Sequence, residues 1–492
     1  MNLKDIIYED ECNEKEIPDI EITKITTDQN DIDGTTLFVF VNSIKFDIRK
    51  IISYVISKRP AAIICEETSE ISTDIPTLKV ASSRRILPYL YARFYEVDFS
   101  RMRFVGITGT NGKTTTATIL SHILNFSGER VGFIGTGKII SNEKLLTDNT
   151  YSMTTPDPDV LYKNLKRMQN DGCSVIVMEV SSHALYFDKV LPIPFFIGIM
   201  TNLSLEHSDF HTDMESYFKA KMKLFSQCKY GIFNSDDHYC RRAISEATCE
   251  VKSIGAVWSA EAVARDIRVC GFDGSEYIYR DTERIFKVKL ALPGIYNIYN
   301  SMLAINAAIL LGVRPCIAKK ALETLTKIDG RFEIVNECPR IIIDYAHTPD
   351  AFEKLLKFIN STKNTEQNLI TVFGCGGERD KRKRPEIASI VEKHSDFVIV
   401  TEDNSRGEPE AEIIKDILSG FSATNNRKVI TSRRAAIEYA ILSAAQNDII
   451  AIVGKGHERY NIGEGGIVSF DERDIIKDAL KKRSCKHENQ DL

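Results

Sequence analysis

A chain of 492 residues with 43% hydrophobic content can bury large cores, and its length alone suggests roughly three domains. Its 64 basic and 69 acidic residues leave a net charge of −5, which gives no electrostatic basis for a nucleic-acid partner or an anionic membrane surface. The eleven cysteines are scattered without a CxxC pair, which argues against a disulfide framework and against structural zinc. No apolar run approaches the ~18 residues of a membrane span. The opening "MNLKDIIYEDECNEKE" is acidic and has no signal-like apolar core, so the expectation is a cytoplasmic protein without membrane insertion.

In chain order, "TLFVFV" (36–41), "IRKIISYVISKRP" (48–60) and "AAIICEE" (61–67) predict a strand, a helix and a strand. "RMRFVGITG" (101–109) predicts a buried strand, and "KTTTATILSHILNFSG" (113–128) carries apolar positions at helical spacing and ends on glycine. Strand-like runs follow at "CSVIVMEV", "FFIGIMTN" and "YGIFNSD", then short strands around 255–292 that read as an insertion, then a helix over 297–312. A new series begins with "RIIIDYAH", "NLITVFG", "DFVIVTED", "KVITS" and "DIIAIVG", mostly separated by polar helical stretches. Such alternation predicts an α/β chain with parallel sheets, with boundaries near residues 100 and 330.

Between the strand and helix at 101–128 stands "GITGTNGKTTTA". It departs from G-x-x-x-x-G-K-[ST], since the first glycine of that pattern would fall at Ile107. The context is nevertheless that of a phosphate cradle. Backbone amides of Gly109, Thr110, Asn111 and Gly112 can turn on phosphate oxygens, Lys113 can reach the β- and γ-phosphates, and Thr114, followed by Thr115, can ligate magnesium.

Further motifs accompany this loop: "MEVSSH" (178–183), "TNLSLEH" (201–207), "AKMKLF" (220–225), "GRFE" (330–333), "DYAHTPDA" (344–351), "FGCGGERDKRKRP" (373–385), "DNSR" (403–406) and "GKGHE" (454–458). In this order they resemble the Mur ligases, the ATP-dependent amide-forming enzymes of peptidoglycan synthesis, and within them most nearly the MurE branch. The resemblance spans nearly the whole chain and implies that G-T-N-G-K-T-T is the family's own phosphate loop. It implies three domains: a UDP-substrate-binding domain at 1–100, a central P-loop ATPase-like domain with a parallel sheet at 101–330, and a C-terminal Rossmann-like α/β domain for the incoming amino acid at 331–492. A monomer is expected.

The resemblance also assigns roles. Glu179 and His207 hold Mg²⁺ with Thr114. A His207–His211 pair at i, i+4 could instead suggest zinc, but no third ligand pattern supports it. Lys221 is the lysine that CO₂ carbamylates, an anion able to ligate or orient a second Mg²⁺. Asn297 meets the base of ATP, Arg331 its phosphates and Asp344 the ribose region, with His347 in support. The reaction implied forms an acyl phosphate and ADP, after which an amine displaces phosphate.

"TEDNSRGEP" (401–409) bears on which amino acid is added. Family members using meso-diaminopimelate carry D-N-P-R here, and lysine-adding ones usually lack the arginine. Arg406 is present and can grip a distal carboxylate bidentately, while Ser405 replaces the proline. Arg379, Asp403, Asn404, Gly454 and Glu458 match the remaining contacts to this substrate. The UDP-MurNAc-dipeptide side departs more. Thr154, Thr155 and Ser181 are retained, but D-S-R becomes Asp28-Gln29-Asn30, "FVFVNSIKFDIRK" lacks the glycine-rich uridine pattern, and a glutamine and an arginine become Phe187 and Lys189. The leading expectation is a ligase joining meso-diaminopimelate to UDP-MurNAc-L-Ala-D-Glu. The alternatives are a related ligase using L-lysine or another acceptor, and a nucleotide-binding regulator without catalysis.

Overall fold

The computed structural model describes residues 1–14, 16–41, 48–69, 71–149, 154–204, 211, 213–422 and 426–488. His207 and much of the uridine-side segment therefore lie outside the described residues. Three successive sheets organise the chain. The first has four parallel strands in chain order, Lys24–Thr26, Thr36–Val39, Ala62–Glu66 and Thr77–Val80. Strand Thr36–Val39 is buried at every position, as a parallel strand covered on both faces must be. Helix Ser83–Phe94 then carries the chain across to the second sheet, where Phe99 packs edge-on against Phe104 and Tyr162.

The second sheet has eleven strands. Its parallel centre brings Arg103–Thr108 between Val175–Glu179 and Phe195–Met200, flanked by Val131–Gly135 and Cys228–Asn234. The short strands after 255 are no separate insertion. Ala262–Val269 pairs parallel with Glu250–Gly255, and Ser275–Arg280 and Ile285–Leu290 continue the same sheet antiparallel. The opposite edge is a hairpin, Gly137–Ser141 with Lys144–Asn149, that the sequence reading did not predict. Helix Ile295–Leu310, apolar nearly all round, is buried against helix Lys113–Phe126.

The third sheet orders its strands Glu333–Glu337, Arg340–Asp344, Ile449–Val453, Leu369–Phe373, Phe397–Val400 and Arg427–Val429, the first antiparallel and the rest parallel. It meets the second sheet through a phenylalanine cluster. Phe272 of the middle sheet's outer turn lies 6.2 Å, centroid to centroid, from both Phe332 and Phe358, which are 5.3 Å from each other. The carboxyl ends of the parallel strands in both sheets run into one shared cavity, where loops in open α/β sheets gather ligands.

One buried cation fixes the loops of the third sheet. Arg433 is fully enclosed; Nη2 donates to Val453 O at 3.0 Å, Nη1 to Glu402 O at 3.3 Å and Nε to the buried Glu472 at 2.7 Å. It ties together the two strand ends that run into Asp403 and Gly454. Glu472→Ala would leave this guanidinium buried and uncompensated, at a cost of about 3–5 kcal/mol. We expect a lowered urea midpoint for that variant and a much smaller loss when Arg433 and Glu472 are both replaced by methionine.

Candidate active site

The glycine-rich loop expected to cradle phosphate occupies the turn from strand Arg103–Thr108 into helix Lys113–Phe126. Gly112 caps that helix at φ +85°, and a Cβ there would sit 2.6 Å from Asn300 Oδ1, so both conformation and space require glycine. Thr201 Oγ1 and Asn202 Nδ2 donate to Asn111 O at 2.6 and 2.9 Å, holding the loop from the neighbouring strand end. Lys113 Nζ folds back onto the carbonyls of Gly109 and Thr110 at 3.0 and 2.9 Å. Its ammonium therefore lies over the loop amides, where a polyphosphate would be cradled.

Register brings the acidic partner alongside. Ile107 pairs with Glu179, so this carboxylate emerges beside the loop. Glu179 is wholly buried, and it accepts hydrogen bonds from Thr114 Oγ1 at 3.0 Å, Thr136 N at 3.0 Å and Thr136 Oγ1 at 3.2 Å. Among the described residues it makes no ion pair. A buried carboxylate beside a helix-start threonine, surrounded by oxygens and lacking a cation, is the donor set that a hard divalent ion takes, so these residues fit Mg²⁺. Among the described residues no three His, Cys, Asp or Glu side chains gather into a metal cluster, and His211 packs against the rings of His183 and Tyr217.

Lys221, on helix Met214–Met222, is 1% exposed. Its Nζ donates to Gly109 O at 3.0 Å and lies 4.6 Å from the centre of the Tyr217 ring. It thus reaches the underside of the phosphate loop.

Arg331 bridges the two sheets. Its Nη2 donates to Thr114 Oγ1 at 3.0 Å, and its guanidinium stacks 4.4 Å over Tyr345. Asp344 ends its strand and accepts from the amides of Phe332 and Ala346, both at 2.7 Å. Burial pushes its carboxyl above the usual range, against Arg331 and those amides. Asn297 Nδ2 donates to Pro293 O at 2.7 Å, and its Oδ1 accepts from Asn300 at 3.2 Å. A second bridge runs from Asn111 Nδ2 to Asp350 at 3.0 Å, at the start of the helix that follows His347.

The arginine-bearing loop lies across the cavity. Arg406 sits at φ +55°, held there by its amide donating to Ile462 O at 3.0 Å. Its Nη1 donates to the carbonyls of Gly377 and Asn404 at 2.9 and 3.2 Å, while Nη2 and Nε make no hydrogen bond among the described residues. Asn404 Nδ2 donates to Glu458 Oε2 at 2.7 Å. Burial works against charge on Asp403, but Lys455 and Arg433 hold its carboxyl below the usual range. Burial and the neighbouring Asp403 push Glu458 up. Ser405 is turned away from the cavity, and its carbonyl accepts from Glu408 N at 3.0 Å.

On the acceptor side, Thr155 Oγ1 donates to Glu179 O at 2.9 Å and accepts from Ser181 N at 2.9 Å. The hydroxyls of Thr154 and Thr136 lie 3.2 Å apart, and since Thr136 donates to Glu179 it is Thr154 that donates here. Lys189 does not reach into the cavity: it is 7% exposed and bonds Asp157 at 2.5 Å. Arg84 stacks 4.4 Å over the Phe187 ring. Asp28 and Asn30 form an exposed local turn, with Asn30 N donating to Asp28 Oδ1 at 2.9 Å.

One cavity of about 1730 Å³ takes in the loop from Thr110 to Thr115, Glu179, Arg331, Asp344, Arg379 and Arg406. Gly109, Lys221, Thr155 and Ser181 support its wall from behind, whereas Thr154, Asn297, His347, Asp403, Asn404, Gly454 and Glu458 line it.

Family models match in the same places. The Mur ligase middle domain matches residues 107–308, and the Mur ligase, glutamate ligase domain matches residues 330–456. A Clostridium acetobutylicum protein described as UDP-N-acetylmuramoyl-L-alanyl-D-glutamate--2,6-diaminopimelate ligase 1 is 36% identical over 493 residues, covering 98% of this chain and 100% of that protein. A Clostridioides difficile protein described as a 2,6-diaminopimelate ligase of the same kind is 36% identical, covering 98% and 100%. Among solved structures, one of a UDP-N-acetylmuramoyl-L-alanyl-D-glutamate--2,6-diaminopimelate ligase superimposes with a TM-score of 0.67 at 24% identity, covering 98% and 99%, which shows a shared fold.

The sequence reading gave no role to Thr136, Tyr345, Lys455 and His457; the last three lie inside the motifs "DYAHTPDA" and "GKGHE", whereas no local pattern sets Thr136 apart. The His457 ring lies 4.9 Å from Tyr345 and faces Gly137 across the gap between the sheets. Burial, then the charges of Arg331, Lys138 and Arg473, push its imidazole from 6.5 down to about 3. The fold thus holds the neutral ring, whose contribution is complete above 6.5 and is lost as pH falls from there toward 3. We expect His457→Asn to lose less thermal stability than the parent between pH 6.5 and about 4.5, above the main carboxylate range. Equal slopes in that window would contradict the assignment.

Proposed function

The chain belongs to the Mur ligase family, and we propose that it is the ADP-forming ligase that joins meso-diaminopimelate to UDP-MurNAc-L-Ala-D-Glu, in the cytoplasm and as a monomer. In this reading residues 1–100 hold the UDP-substrate, 101–330 hold ATP and 331–492 hold the amino acid. One observation carries it: a single cavity of about 1730 Å³ runs from the Lys113 loop to Arg406, so the residues assigned to phosphate activation and to gripping a carboxylate share one space.

The chain's groups divide the work. The amides of Thr110 and Asn111 are taken up by Asn202 O and Oδ1, both at 3.0 Å, so Lys113 and the amides from Gly112 into the helix start bind the β- and γ-phosphates, and Arg331, already donating to Thr114, stands where phosphate charge accumulates. Mg²⁺, held by Thr114, Glu179 and His207, would neutralise charge on those phosphates. The γ-carboxylate of the acceptor's D-glutamate takes the γ-phosphoryl group and ADP departs. The amino acid's amine then attacks the acyl carbonyl and phosphate leaves. Arg406 receives the distal carboxylate through its remaining donors, and Asp403 and Glu458 receive the distal ammonium. Lys221, as a carbamate, would supply a further anion beneath the loop. Closure between the second and third sheets excludes the water that would hydrolyse the acyl phosphate.

A second reading keeps this chemistry and changes the acceptor, and the Lys189–Asp157 pair favours it, because that lysine's charge is taken up within the protein. The deciding measurement is ADP release with ATP, Mg²⁺ and UDP-MurNAc-L-Ala-D-Glu, comparing meso-diaminopimelate, L-lysine and no amino acid. Release that depends on diaminopimelate, with the tripeptide product found by mass, is expected. Release with lysine alone would overturn the role given to Arg406, and no release with either would point to another acceptor.

Two substitutions probe the assigned groups. Lys221→Ala should lower kcat by about 10²–10³-fold while ATP still binds. Arg406→Ala should reduce the preference for diaminopimelate over lysine by about 10–100-fold, the worth of a charged hydrogen-bonded pair. Unchanged turnover in the first, or unchanged preference in the second, would remove those roles.

A further inference from the structure

Lys455 is fully buried and does not line the cavity. It stands directly behind the residues that do. Its Nζ donates to Asn404 Oδ1 at 2.9 Å and to Asn461 Oδ1 at 3.4 Å, and lies 3.5 Å from Asp403 Oδ1 and 3.7 Å from Glu458 Oε2. The rings of Tyr460 and Phe470 each lie 5.8 Å from it. The backbone is shaped to put it there. Gly454 and Gly456 flank it at φ +121° and +57°; a Cβ on the first would sit 2.7 Å from Asp403 Oδ2, and one on the second 2.6 Å from Tyr345 Cβ. Glu458 N donates to Lys455 O at 3.0 Å, which closes the turn that carries Glu458 round to the cavity.

We propose that Lys455 is a positioning residue for the incoming amino acid: its ammonium fixes the Asn404 amide and balances the Asp403–Glu458 pair, so that the site presents one net negative charge to the substrate's distal ammonium. This rests on the amino-acid site proposed above. The amide argument is one of donors and acceptors. Asn404 Oδ1 accepts from both Lys455 Nζ and Ile462 N, the latter at 2.9 Å, so its Nδ2 faces Glu458 and the cavity. The charge argument is one of compensation. Two buried carboxylates a few ångströms apart do not both stay ionised without a cation, and Lys455 is the lysine within ion-pair reach of both. Without it the pair takes up a proton, and the attraction for an ammonium falls with the lost charge. A lysine here serves better than arginine, since a compact ammonium fits between two aromatic rings and four oxygen-bearing side chains.

The experiment is a double-mutant cycle on steady-state kinetics with the full-length enzyme, using Lys455→Met, Glu458→Gln and the double variant. Lys455→Met should raise KM for the amino acid by about 10–100-fold, the worth of a charged hydrogen bond, with kcat changed less than about threefold and KM for ATP unchanged. In the Glu458→Gln background, where one anion has already been removed, the same substitution should raise that KM less than about threefold. An unchanged KM for the amino acid, an equal rise in the KM for ATP, or the same factor in both backgrounds would overturn the proposal. Should Lys455→Met fail to fold, the double variant removes one buried cation together with one buried anion and carries the test. A KM within about threefold of the Glu458→Gln enzyme supports the proposal, and a further tenfold rise overturns it. The parent enzyme's choice of amino acid is measured first. If it turns over lysine rather than diaminopimelate, the reading of Arg406 fails while the Lys455 cycle is run with lysine and stands or falls by itself.

Discussion

A charge taken out of water must meet a compensating partner or it does not stay ionised, and that constraint shapes this site more than any other. Glu179, Lys221, Lys455 and Arg433 are all essentially buried at the carboxyl ends of two parallel sheets. Each is satisfied differently. Arg433 has Glu472 and two strand-end carbonyls, and Lys455 has two carboxylates and two amide oxygens. Lys221 has the loop carbonyl of Gly109 and the face of Tyr217. Glu179 has hydroxyls and an amide but no cation among the described residues, and that asymmetry is what fits it to the proposed Mg²⁺.

The same constraint explains how the sheets are joined. Arg331 comes from the turn between the second and third sheets, yet its guanidinium ends on Thr114 of the phosphate loop and on the face of Tyr345. A polar tie of this kind is weak when exposed and stronger when water is excluded. Exclusion is supplied a short distance away by Phe272, Phe332 and Phe358, one from the middle sheet's outer turn, one from the turn between the sheets and one from the helix Pro349–Thr362. Apolar packing holds the two sheets together, and the polar groups inside the gap then act at close range.

Sequence made the strands legible where they were apolar and short, because parallel strands covered on both faces read as continuous hydrophobic runs. Strands at Arg103–Thr108, Val175–Glu179 and Ile449–Val453 fall inside the predicted runs. The hairpin Gly137–Ser141 with Lys144–Asn149 was missed, since its alternation is brief and its charged residues resemble a loop. Glycine at 112 was readable as a strand-to-helix turn because the positive φ there demands glycine. Thr136 and Lys455 were not readable. Nothing in "FIGTGK" or "GKGHE" says that the threonine will face Glu179 or that the lysine will point inward; only the register of the sheets and the φ angles of Gly454 and Gly456 decide it.

The acceptor side shows what a substitution pattern can and cannot say. Phe187 and Lys189 look, in sequence, like lost contacts, yet both are occupied: the ring carries the Arg84 guanidinium and the lysine holds Asp157. Each replacement has gained an internal partner, so the local structure is complete without a ligand. A side chain that is satisfied internally must give up that bond before it can bind anything else, and the exchange yields little free energy. The retained threonines are engaged within the wall in the same way, Thr155 with Glu179 O and Ser181 N and Thr154 with Thr136 Oγ1, so they are no freer to bind than the replacements. On the proposed reading the amino-acid side is defined by buried charge that lines the cavity, whereas Phe187, Lys189, Thr155 and Ser181 stand behind or outside its wall and are satisfied within the protein.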